Sequence, residues 1–346
     1  MSTQPSAKTL RLAVLNPGGS DPDQWFPDFA GEPLSKGHPP VNYHAYAACT
    51  GGSFHRNANT IAPEQRAVLL LLRRDLRLCL KTLLGLQAQG KIVAVSLKES
   101  GSHQVAELLS DPKRLLLFRQ ICGSASLALS STPDLVPLYL GAGAKRAAFL
   151  PTPYPVDDPR WSFSPRLPPA SPRLSPIIFL GTREFEVPSR NHLAALWEVR
   201  SLGVPVTVIN VDGRSGRRKL EALGFDPGQL RIIEGRMDYP RYLQLLGEHR
   251  LVFQLDRSAV PGQVAGDALL CGVPCIGGDS AIERVAFPSL CGQSRDAGEL
   301  VKTAKLLIRD DGAHRRAIEE SQRLATERLS FGAVAVRLAE VFDSAL

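Results

Sequence analysis

Short apolar segments alternate with segments of helical periodicity through the second half of the chain, and this alternation constrains the fold more than any other feature. The apolar segment 176–180 ends at Gly181; a polar loop and a helical segment at 191–202 follow, before Gly203. A short apolar run bounded by turn residues is typical of a buried parallel strand, and glycine commonly ends a helix. Further strands are expected at 204–211, 230–233, 251–255 and 274–276, and further helices at 216–223, 239–248 and 262–271. The alternation predicts a doubly wound parallel α/β sheet.

The first half shows the same alternation less clearly. Its main predicted element is a long amphipathic helix at 64–89. The other elements are strands at 10–15, 91–97, 126–129 and 146–150, and helices at 104–109, 113–122 and 134–141. The stretch 24–59 is irregular, and His44 and His55, which flank Gly51 and Gly52 within it, are a candidate rim for an acceptor site, a role that is left open. A second α/β sheet is therefore predicted.

A proline-rich stretch separates the two halves. Residues 151–176 contain nine of the 27 prolines, and proline stiffens a chain while denying it regular pairing. The length of 346 residues agrees with two domains at about 150 residues each. The predicted parts are an N-terminal Rossmann-like domain at 1–160, a linker at 161–176, a C-terminal Rossmann-like domain at 177–325, and a helix at 326–346 for which packing on the first domain is left open.

Composition excludes several classes of protein. The longest apolar run, 67–72, stops at Arg73, whereas a membrane span needs about 18 apolar residues. Residues 1–15 lack the pattern of a signal peptide, so a cytoplasmic location is expected. The six cysteines show no zinc-ligand spacing. A net charge of +7 without interleaved basic and aromatic residues does not indicate a nucleic-acid partner.

Three segments follow predicted strands and open helices, where parallel sheets bind ligands and helix N-termini favour phosphate. The first runs from Gly181 into the helix at 191–202. Arg183 and Arg190 are expected to reach an anion held at the start of this helix, and Ser189 is the expected N-cap. The alternative is that both arginines are solvated and pair with nearby glutamates.

The second segment follows the strand that ends near Asp256. A loop rich in glycine and proline leads to the helix at 262–271, whose first-turn N–H groups are suited to a phosphate. Asp267 lies one to two turns into this helix, where a carboxylate is placed to bridge two ribose hydroxyls. The alternative is that Asp267 is merely a favourable acidic residue in an early helical turn.

The third segment follows the predicted strand at 91–97 and contains the candidate catalytic residues Lys98, Glu99 and His103. Histidine is the natural proton-transfer group at neutral pH, although a loop histidine is often simply exposed. After the first predicted strand, Gly18 and Gly19 permit close approach of the backbone to a ligand.

Taken in order, these segments resemble those of GT-B glycosyltransferases, in particular the large retaining family 4, which uses nucleotide-sugar donors. Residues 130–157 resemble the segment that closes the N-terminal domain, and 180–183 the glycine–arginine pair that opens the donor domain. Residues 267–276, DALLCGVPCI, resemble the family's E-A-x-A-x-G-x-P-V-I motif. The resemblance covers 91–288 and implies two Rossmann-like, doubly wound parallel-sheet domains that face a central cleft.

The resemblance also implies site residues. Arg183 and Arg190 are implied to hold the donor diphosphate and Asp267 the ribose, while His103 lies near the transferred sugar. The other implied donor-site residues are Gly181, Gly235, Arg236, Met237, Ser258, Gly262, Gln263 and Val264. The chain departs from the family at Ala259, where a glutamate usually contacts the sugar.

The expected function is transfer of a sugar from a UDP- or GDP-linked donor, with retention of configuration and without a metal ion or other cofactor. The acceptor is left open as a glycan, a lipid-linked sugar or a small molecule, as are peripheral membrane contact and the oligomeric state. One alternative is a nucleotide-sugar epimerase of the same fold. Another is a non-catalytic nucleotide-sugar-binding protein, which Ala259 favours. A nicotinamide-dependent oxidoreductase is disfavoured because neither half opens on a GxGxxG motif.

Overall fold

The computed structural model describes residues 10–27, 37–163, 177–181, 185 and 187–344. These residues divide into two compact units. The first unit comprises 10–27, 39–153 and 330–344, and the second comprises 37–38 and the described residues of 154–329. The boundaries predicted from the sequence lie at 160 for the end of the first domain, at 177 for the start of the second and at 326 for the last helix. In the structure the first unit ends at 153, the second begins at 154 and the first resumes at 330.

A seven-stranded sheet forms the centre of the first unit. Its strands in chain order are β1 (Ala13–Leu15), β2 (Gln24–Trp25), β3 (Ser53–His55), β4 (Ala67–Leu72), β5 (Ile92–Leu97), β6 (Leu127–Ser130) and β7 (Ala147–Phe149). Their spatial order is β2-β3-β1-β4-β5-β6-β7. Every neighbouring pair is parallel except β2 and β3 at the edge, which are antiparallel.

Helices cover both faces of this sheet. They are α1 (Tyr43–Ala48), α2 (Leu76–Ala88), α3 (Ser102–Leu109), α4 (Pro112–Ser124) and α5 (Val136–Gly141). The buried sides of α2, α4 and α5 share one apolar core with alternate residues of the strands, such as Val68 and Leu70. The intervening residues, such as Leu69 and Leu71, belong to a second core together with α1. This alternation is what a strand buried on both faces requires.

The predicted helix at 64–89 was wrong in its first part. Residues Ala67–Leu72 form strand β4, all six of them buried, and α2 begins only at Leu76, where the Asp75 side chain accepts a hydrogen bond from the backbone N–H of Leu78. Leucine favours helices in isolation, but a continuous apolar run between two parallel strands gains more by burial on both faces. Periodicity alone does not separate these two outcomes.

The stretch 24–59 is also more regular than expected, because it contains β2, α1 and β3. Strand β3 pairs with β1 in parallel and has the sequence Ser-Phe-His, which lacks an apolar pattern. Its polar side chains are satisfied inside the protein: His55 Nε2 lies 2.7 Å from Ser53 Oγ, and His55 Nδ1 lies 2.8 Å from Thr60 Oγ1. A polar strand held by such a network has no hydrophobic signal in the sequence.

The second unit has a five-stranded, fully parallel sheet of order β10-β9-β8-β11-β12. Its strands are β8 (Ile178–Leu180), β9 (Val206–Asn210), β10 (Leu230–Glu234), β11 (Leu251–Gln254) and β12 (Cys275–Gly277). Its helices are α6 (His192–Arg200), α7 (Gly213–Glu221), α8 (Tyr239–Gly247), α9 (Gln263–Leu270), α10 (Ala281–Ala286), α11 (Ala297–Arg309) and α12 (Asp311–Arg328). The strands and helices predicted for this half are confirmed, with small shifts of their ends.

The last helix, α13 (Phe331–Asp343), belongs to the first unit. Its buried residues Phe331, Val334, Leu338 and Phe342 join the core that contains α1. A guanidinium N–H of Arg337 also donates a hydrogen bond to the carbonyl oxygen of Phe149, at 3.1 Å. No helix within the described ranges is long and apolar enough to cross a membrane.

In each sheet the order in which strands are added reverses between two central neighbouring strands. Successive strands are first added on one side of the earlier strand, and the chain then continues on its other side. In the first unit the reversal lies between β1 and β4, and in the second unit between β8 and β11. Open parallel sheets bind ligands in the crevice that such a reversal leaves at the carboxyl ends of the strands.

Candidate functional site

The reversal point of the second sheet is formed by the loops that follow β8 and β11. Residues 182–184 and 186 lie outside the described residues, so the predicted role of Arg183 has no structural counterpart here. The loop after β8 ends in a single 3-10 turn, Pro188–Arg190. The loop after β11 runs to Gly262, where α9 begins.

Hydrogen bonds join these two loops directly. Ser189 Oγ and Ser258 Oγ lie 2.8 Å apart, and the backbone N–H of Arg257 donates to the carbonyl oxygen of Ser189 at 2.7 Å. The Asn191 side-chain amide donates to the carbonyl oxygen of Leu255 at 2.9 Å. The loop that carries Arg190 is thereby fixed to the loop that leads into α9.

The predicted capping role of Ser189 was wrong. The N-cap of α6 is Asn191, in a left-handed conformation with φ of 52°, and no side chain caps this helix. Ser189 is instead used to hold the two loops together through Ser258. Asparagine tolerates the left-handed region better than most residues, which explains why the turn into α6 is made there.

The start of α9 is packed tightly against its neighbours. Gly262 has φ of +99°, and a Cβ atom at this position would overlap the side chain of Ser280. A Cβ atom at Gly181 would lie 2.7 Å from Val264 Cγ1. The structure therefore brings Gly181 next to Val264 at the start of α9, while the donor-site role of these residues, and of Gly262 and Gln263, stays a prediction.

The first turn of α9 has the backbone arrangement with which helix N-termini bind anions. Its N-cap is a glycine, and no side chain among the described residues caps it. The first N–H groups of any helix have no intrahelical acceptor, and they lie at the positive end of the helix dipole. The backbone of Gln263 and Val264 is thus suited to the phosphate role assigned to it from the sequence.

Three charged residues beside these loops were missed by the sequence analysis. Asp279 lies between Arg257 and Arg284, with nitrogen-to-oxygen distances of 3.7 Å to each. The backbone N–H of Asp279 donates to the carbonyl oxygen of Asp256 at 3.0 Å, which fixes the loop after β12 to the loop after β11. The signal was present, because Asp279 follows the predicted strand at 274–276 and its two glycines directly.

Asp267 lies in a different environment from the one expected for a ribose ligand. Its side chain is 1% exposed and accepts a hydrogen bond from the hydroxyl of Tyr239. Burial raises the pKa of Asp267 to about 8, although the Tyr239 hydrogen bond acts to lower it. Asp267 is therefore largely protonated at neutral pH and presents no exposed carboxylate, and its contact with a ribose stays a prediction.

A second buried carboxyl, Glu283, was also missed. It forms a reciprocal cap with Ser280 at the start of α10, and its carboxylate accepts a hydrogen bond from Gln254 Nε2 at 3.1 Å. Burial raises the pKa of Glu283 to about 7. The serine and glutamate at capping-box spacing were readable in the sequence, but the burial depends on strands β11 and β12.

The residues predicted beside the nucleobase follow β10, two strands away from β8. Gly235 has φ of +84°, and its N–H donates to the carbonyl oxygen of Asn210 at 2.8 Å. Gly235 and Arg236 are exposed, and Met237 packs partly against the core. They lie at the same edge of the sheet as the loops after β8 and β11, since all five strands are parallel.

The candidates in the first unit lie after β5 and β1, two strands apart. Lys98 Nζ lies 3.5 Å from Glu99 Oε1, and His103 is exposed in the first turn of α3. Gly18 has φ of +69° in the loop after β1, and the N–H of Gly19 closes that turn on Asn16 at 3.0 Å. The structure thus places these residues at the carboxyl edge of the sheet, as predicted.

The rim role considered for His55 was wrong, and that of His44 stays a prediction. His55 is fully buried in the network with Ser53. His44 belongs to α1 and stacks on Phe54, with ring centroids 3.8 Å apart. Among the described residues, no group of three His, Cys, Asp or Glu side chains is arranged to hold a metal ion.

Neither protein-family models nor curated proteins give a match to the sequence. Solved structures do share its fold. A trehalose-6-phosphate synthase studied with bisubstrate glycomimetics has a TM-score of 0.61 and 9% identity, over 96% of this chain and 99% of that chain. The sucrose-phosphate synthase of Thermosynechococcus elongatus has a TM-score of 0.59 and 14% identity, over 96% of this chain and 98% of that chain. A structure described as trehalose-6-phosphate from E. coli bound with UDP-2-fluoro glucose has a TM-score of 0.59 and 13% identity, over 80% and 72% of the two chains.

These similarities confirm the predicted fold class. The chain has the GT-B fold, with two Rossmann-like α/β domains, and the solved structures that share it include nucleotide-sugar glycosyltransferases. At identities of 9–14%, the likeness establishes the fold alone, and function must be argued from the site.

Proposed function

We propose that the protein is a glycosyltransferase that takes a sugar from a UDP- or GDP-linked donor bound at the reversal point of the second sheet. The observation that carries the proposal is the pair of joined loops at the carboxyl ends of β8 and β11. One loop contains Arg190, and the other leads into the start of α9, which no described side chain caps. In other proteins, this arrangement of a helix N-terminus and a guanidinium binds phosphate groups.

The chemistry follows from where charge develops during transfer. As the glycosidic bond to the diphosphate breaks, negative charge grows on the departing phosphate oxygens. Backbone N–H groups of Gln263 and Val264, together with Arg190 and Arg183, would stabilise that charge without rearranging. This set of groups supports a reaction that needs no metal ion.

The first unit supplies the remaining groups in this proposal. Lys98, Glu99 and His103 are proposed to handle the acceptor, and Gly18 and Gly19 to let its backbone approach a ligand closely. The structural neighbours are named for sugar phosphates, which adds a phosphorylated sugar to the acceptors to be tested. Retention of configuration is proposed from the family 4 resemblance, and the trehalose-6-phosphate synthase neighbour is described as transferring with retention.

One observation favours a second candidate, a protein of this fold that binds a nucleotide sugar without transferring it. Ala259 stands where the resembled family has a glutamate that contacts the sugar, and its φ of 50° is unusual for alanine. A methyl group offers the sugar no hydrogen bond. Such a protein would be stabilised by nucleotide sugars but would release no nucleoside diphosphate in the presence of any acceptor.

Saturating UDP or GDP is expected to stabilise the second unit against heat, whereas NAD is not. A ligand at about 100 times its Kd stabilises the folded state by about 2.7 kcal/mol, which corresponds to a Tm increase of about 5–10 °C for a unit of this size. Arg190→Ala is expected to abolish the shift. Thermal unfolding with UDP, GDP and NAD, with and without EDTA, measures the Tm shift for the unmodified protein and for Arg190→Ala.

The matched control for this experiment is Arg309→Ala, which removes an exposed arginine from the last turn of α11 and should leave the shift unchanged. An unchanged shift in Arg190→Ala would reject the phosphate role of Arg190. Stabilisation by NAD in place of UDP or GDP would reject the donor-site proposal, and loss of the shift in EDTA would reject metal independence. Conversion of a nucleotide sugar without any acceptor would identify the epimerase alternative.

A further inference from the structure

Two neighbouring helices of the first unit, α2 and α4, expose several leucines. Leu84 on α2 is 51% exposed, and Leu115 and Leu116 on α4 are 40% and 59% exposed. The opposite sides of both helices pack against the core of the unit, where residues such as Leu83 and Phe118 are buried. The exposed leucines therefore make no contribution to the core of this unit.

The same two helices carry cations and no acidic residue. Arg77 and Lys81 belong to α2, and α4 contains Lys113, Arg114 and Arg119, whereas neither helix contains aspartate or glutamate. The nearby carboxylates of Asp75 and Asp111 accept hydrogen bonds from backbone N–H groups as N-caps. This is a sharp local excess of positive charge beside exposed apolar side chains.

Helical geometry places these cations beside the leucines. Arg77, Lys81 and Leu84 are separated by four and three residues, so they lie on one side of α2. On α4, Arg119 is three residues from Leu116 and four from Leu115. We refer to Arg77, Lys81, Leu84, Leu115, Leu116 and Arg119 as the basic leucine face.

The two helices form one continuous layer. They cover β4, β5 and β6 from the same side, because both contribute to the core on that face of the sheet. Their C-terminal ends are joined by a hydrogen bond of 2.7 Å from Gln87 Nε2 to the carbonyl oxygen of Ser124. A rigid layer presents its side chains to a flat surface without further loss of conformational freedom.

We propose that the basic leucine face binds the surface of an anionic phospholipid bilayer. Leucine side chains that enter the boundary between headgroups and acyl chains remove apolar area from water, and adjacent cations are attracted to anionic headgroups. The positive charge of the basic leucine face distinguishes between two occupants, an anionic bilayer and a second copy of the chain. A second copy of the chain would oppose cations to cations, which costs free energy, whereas an anionic lipid surface complements them.

Sedimentation of the full chain with vesicles tests this proposal. We expect binding to vesicles of phosphatidylcholine with about 30% phosphatidylglycerol and little binding to phosphatidylcholine alone, with the bound fraction falling as salt is raised. Leu116→Glu is expected to lower the vesicle partition coefficient about tenfold or more, because it removes an apolar contact and adds repulsion. Circular dichroism and Tm check that the variant is folded.

Val336→Glu is the matched control, because Val336 on α13 is also 59% exposed and belongs to the same unit. It should bind vesicles as the unmodified protein does. Equal loss in both variants, equal binding by Leu116→Glu and the unmodified chain, or no binding to anionic vesicles would each overturn the proposal. A dimer in solution that Leu116→Glu dissociates, without vesicle binding, would overturn it in favour of self-association.

Discussion

Replacing Gly262 with alanine is expected to lower the free energy of unfolding of the second unit by about 2–6 kcal/mol. A φ of +99° costs an alanine about 1–3 kcal/mol, and the overlap of its Cβ atom with the Ser280 side chain adds about 1–3 kcal/mol of overpacking. The same substitution is expected to remove stabilisation by UDP or GDP, because Gly262 sets the start of α9. Urea unfolding and thermal shift measure the two effects.

Gly203→Ala is the control for this substitution. Gly203 also has a left-handed conformation, with φ of +65°, but apart from its chain neighbours no heavy atom of the described residues lies within 4 Å of the position its Cβ atom would take. Its replacement should cost only the backbone strain, about 1–2 kcal/mol, and leave nucleotide binding intact. Equal destabilisation by both substitutions would show that the contact with Ser280 contributes nothing.

Asp267→Asn is expected to remove most of a decline in stability between about pH 4 and pH 8. The carboxyl has an ordinary pKa of 3.8, and burial raises it to about 8 in the folded protein. Between these values the folded protein holds a proton that the unfolded chain has released, so the free energy of unfolding falls as pH rises. Each pKa unit corresponds to about 1.4 kcal/mol, and the decline is therefore on the order of several kcal/mol. Urea unfolding at a series of pH values measures it.

Tyr239→Phe provides the comparison for Asp267→Asn. It removes the hydroxyl that donates to Asp267 while leaving the carboxyl buried. Since that hydrogen bond lowers the pKa of Asp267, its loss should lower stability and extend the pH-dependent decline to higher pH. Glu283, whose pKa burial raises to about 7, contributes a smaller decline of its own, which should remain in Asp267→Asn. A profile of Asp267→Asn parallel to that of the unmodified protein would mean that Asp267 is ionised in the folded state.

The second half of the fold was predictable because its strands are short apolar runs that end at glycine or polar residues. The strand that ends at Gly181 and the strand that precedes the loop to Gly262 could both be located in this way. Ligands bind at the carboxyl ends of parallel strands, so the loops that follow these two strands were predicted to form the site. What the sequence could not supply was the hydrogen bonding between the loops. The bond from Ser189 to Ser258 joins residues 69 positions apart.

The failures share a physical cause, which is that burial is decided by distant parts of the chain. Residues 67–72 have the composition of a helix but lie between β1 and β5. His55 has the chemistry of a site residue but lies in β3, which pairs with β1, where Leu15 is its partner. Ser189 has the chemistry of an N-cap, yet its hydroxyl is paired with that of Ser258, 69 residues away. None of these partners is adjacent in sequence, so local patterns gave no warning.

The return of α13 to the first unit has a consequence for biosynthesis. The core that contains α1 lacks Phe331, Val334, Leu338 and Phe342 until the ribosome has made the last helix. At about 5–20 residues per second, translation of residues 154–329 delays that helix by roughly 10–35 s after residue 153. Residues 154–329 form nearly all of the second unit and can fold during this interval, so the first unit is the first to be started and the last to be completed.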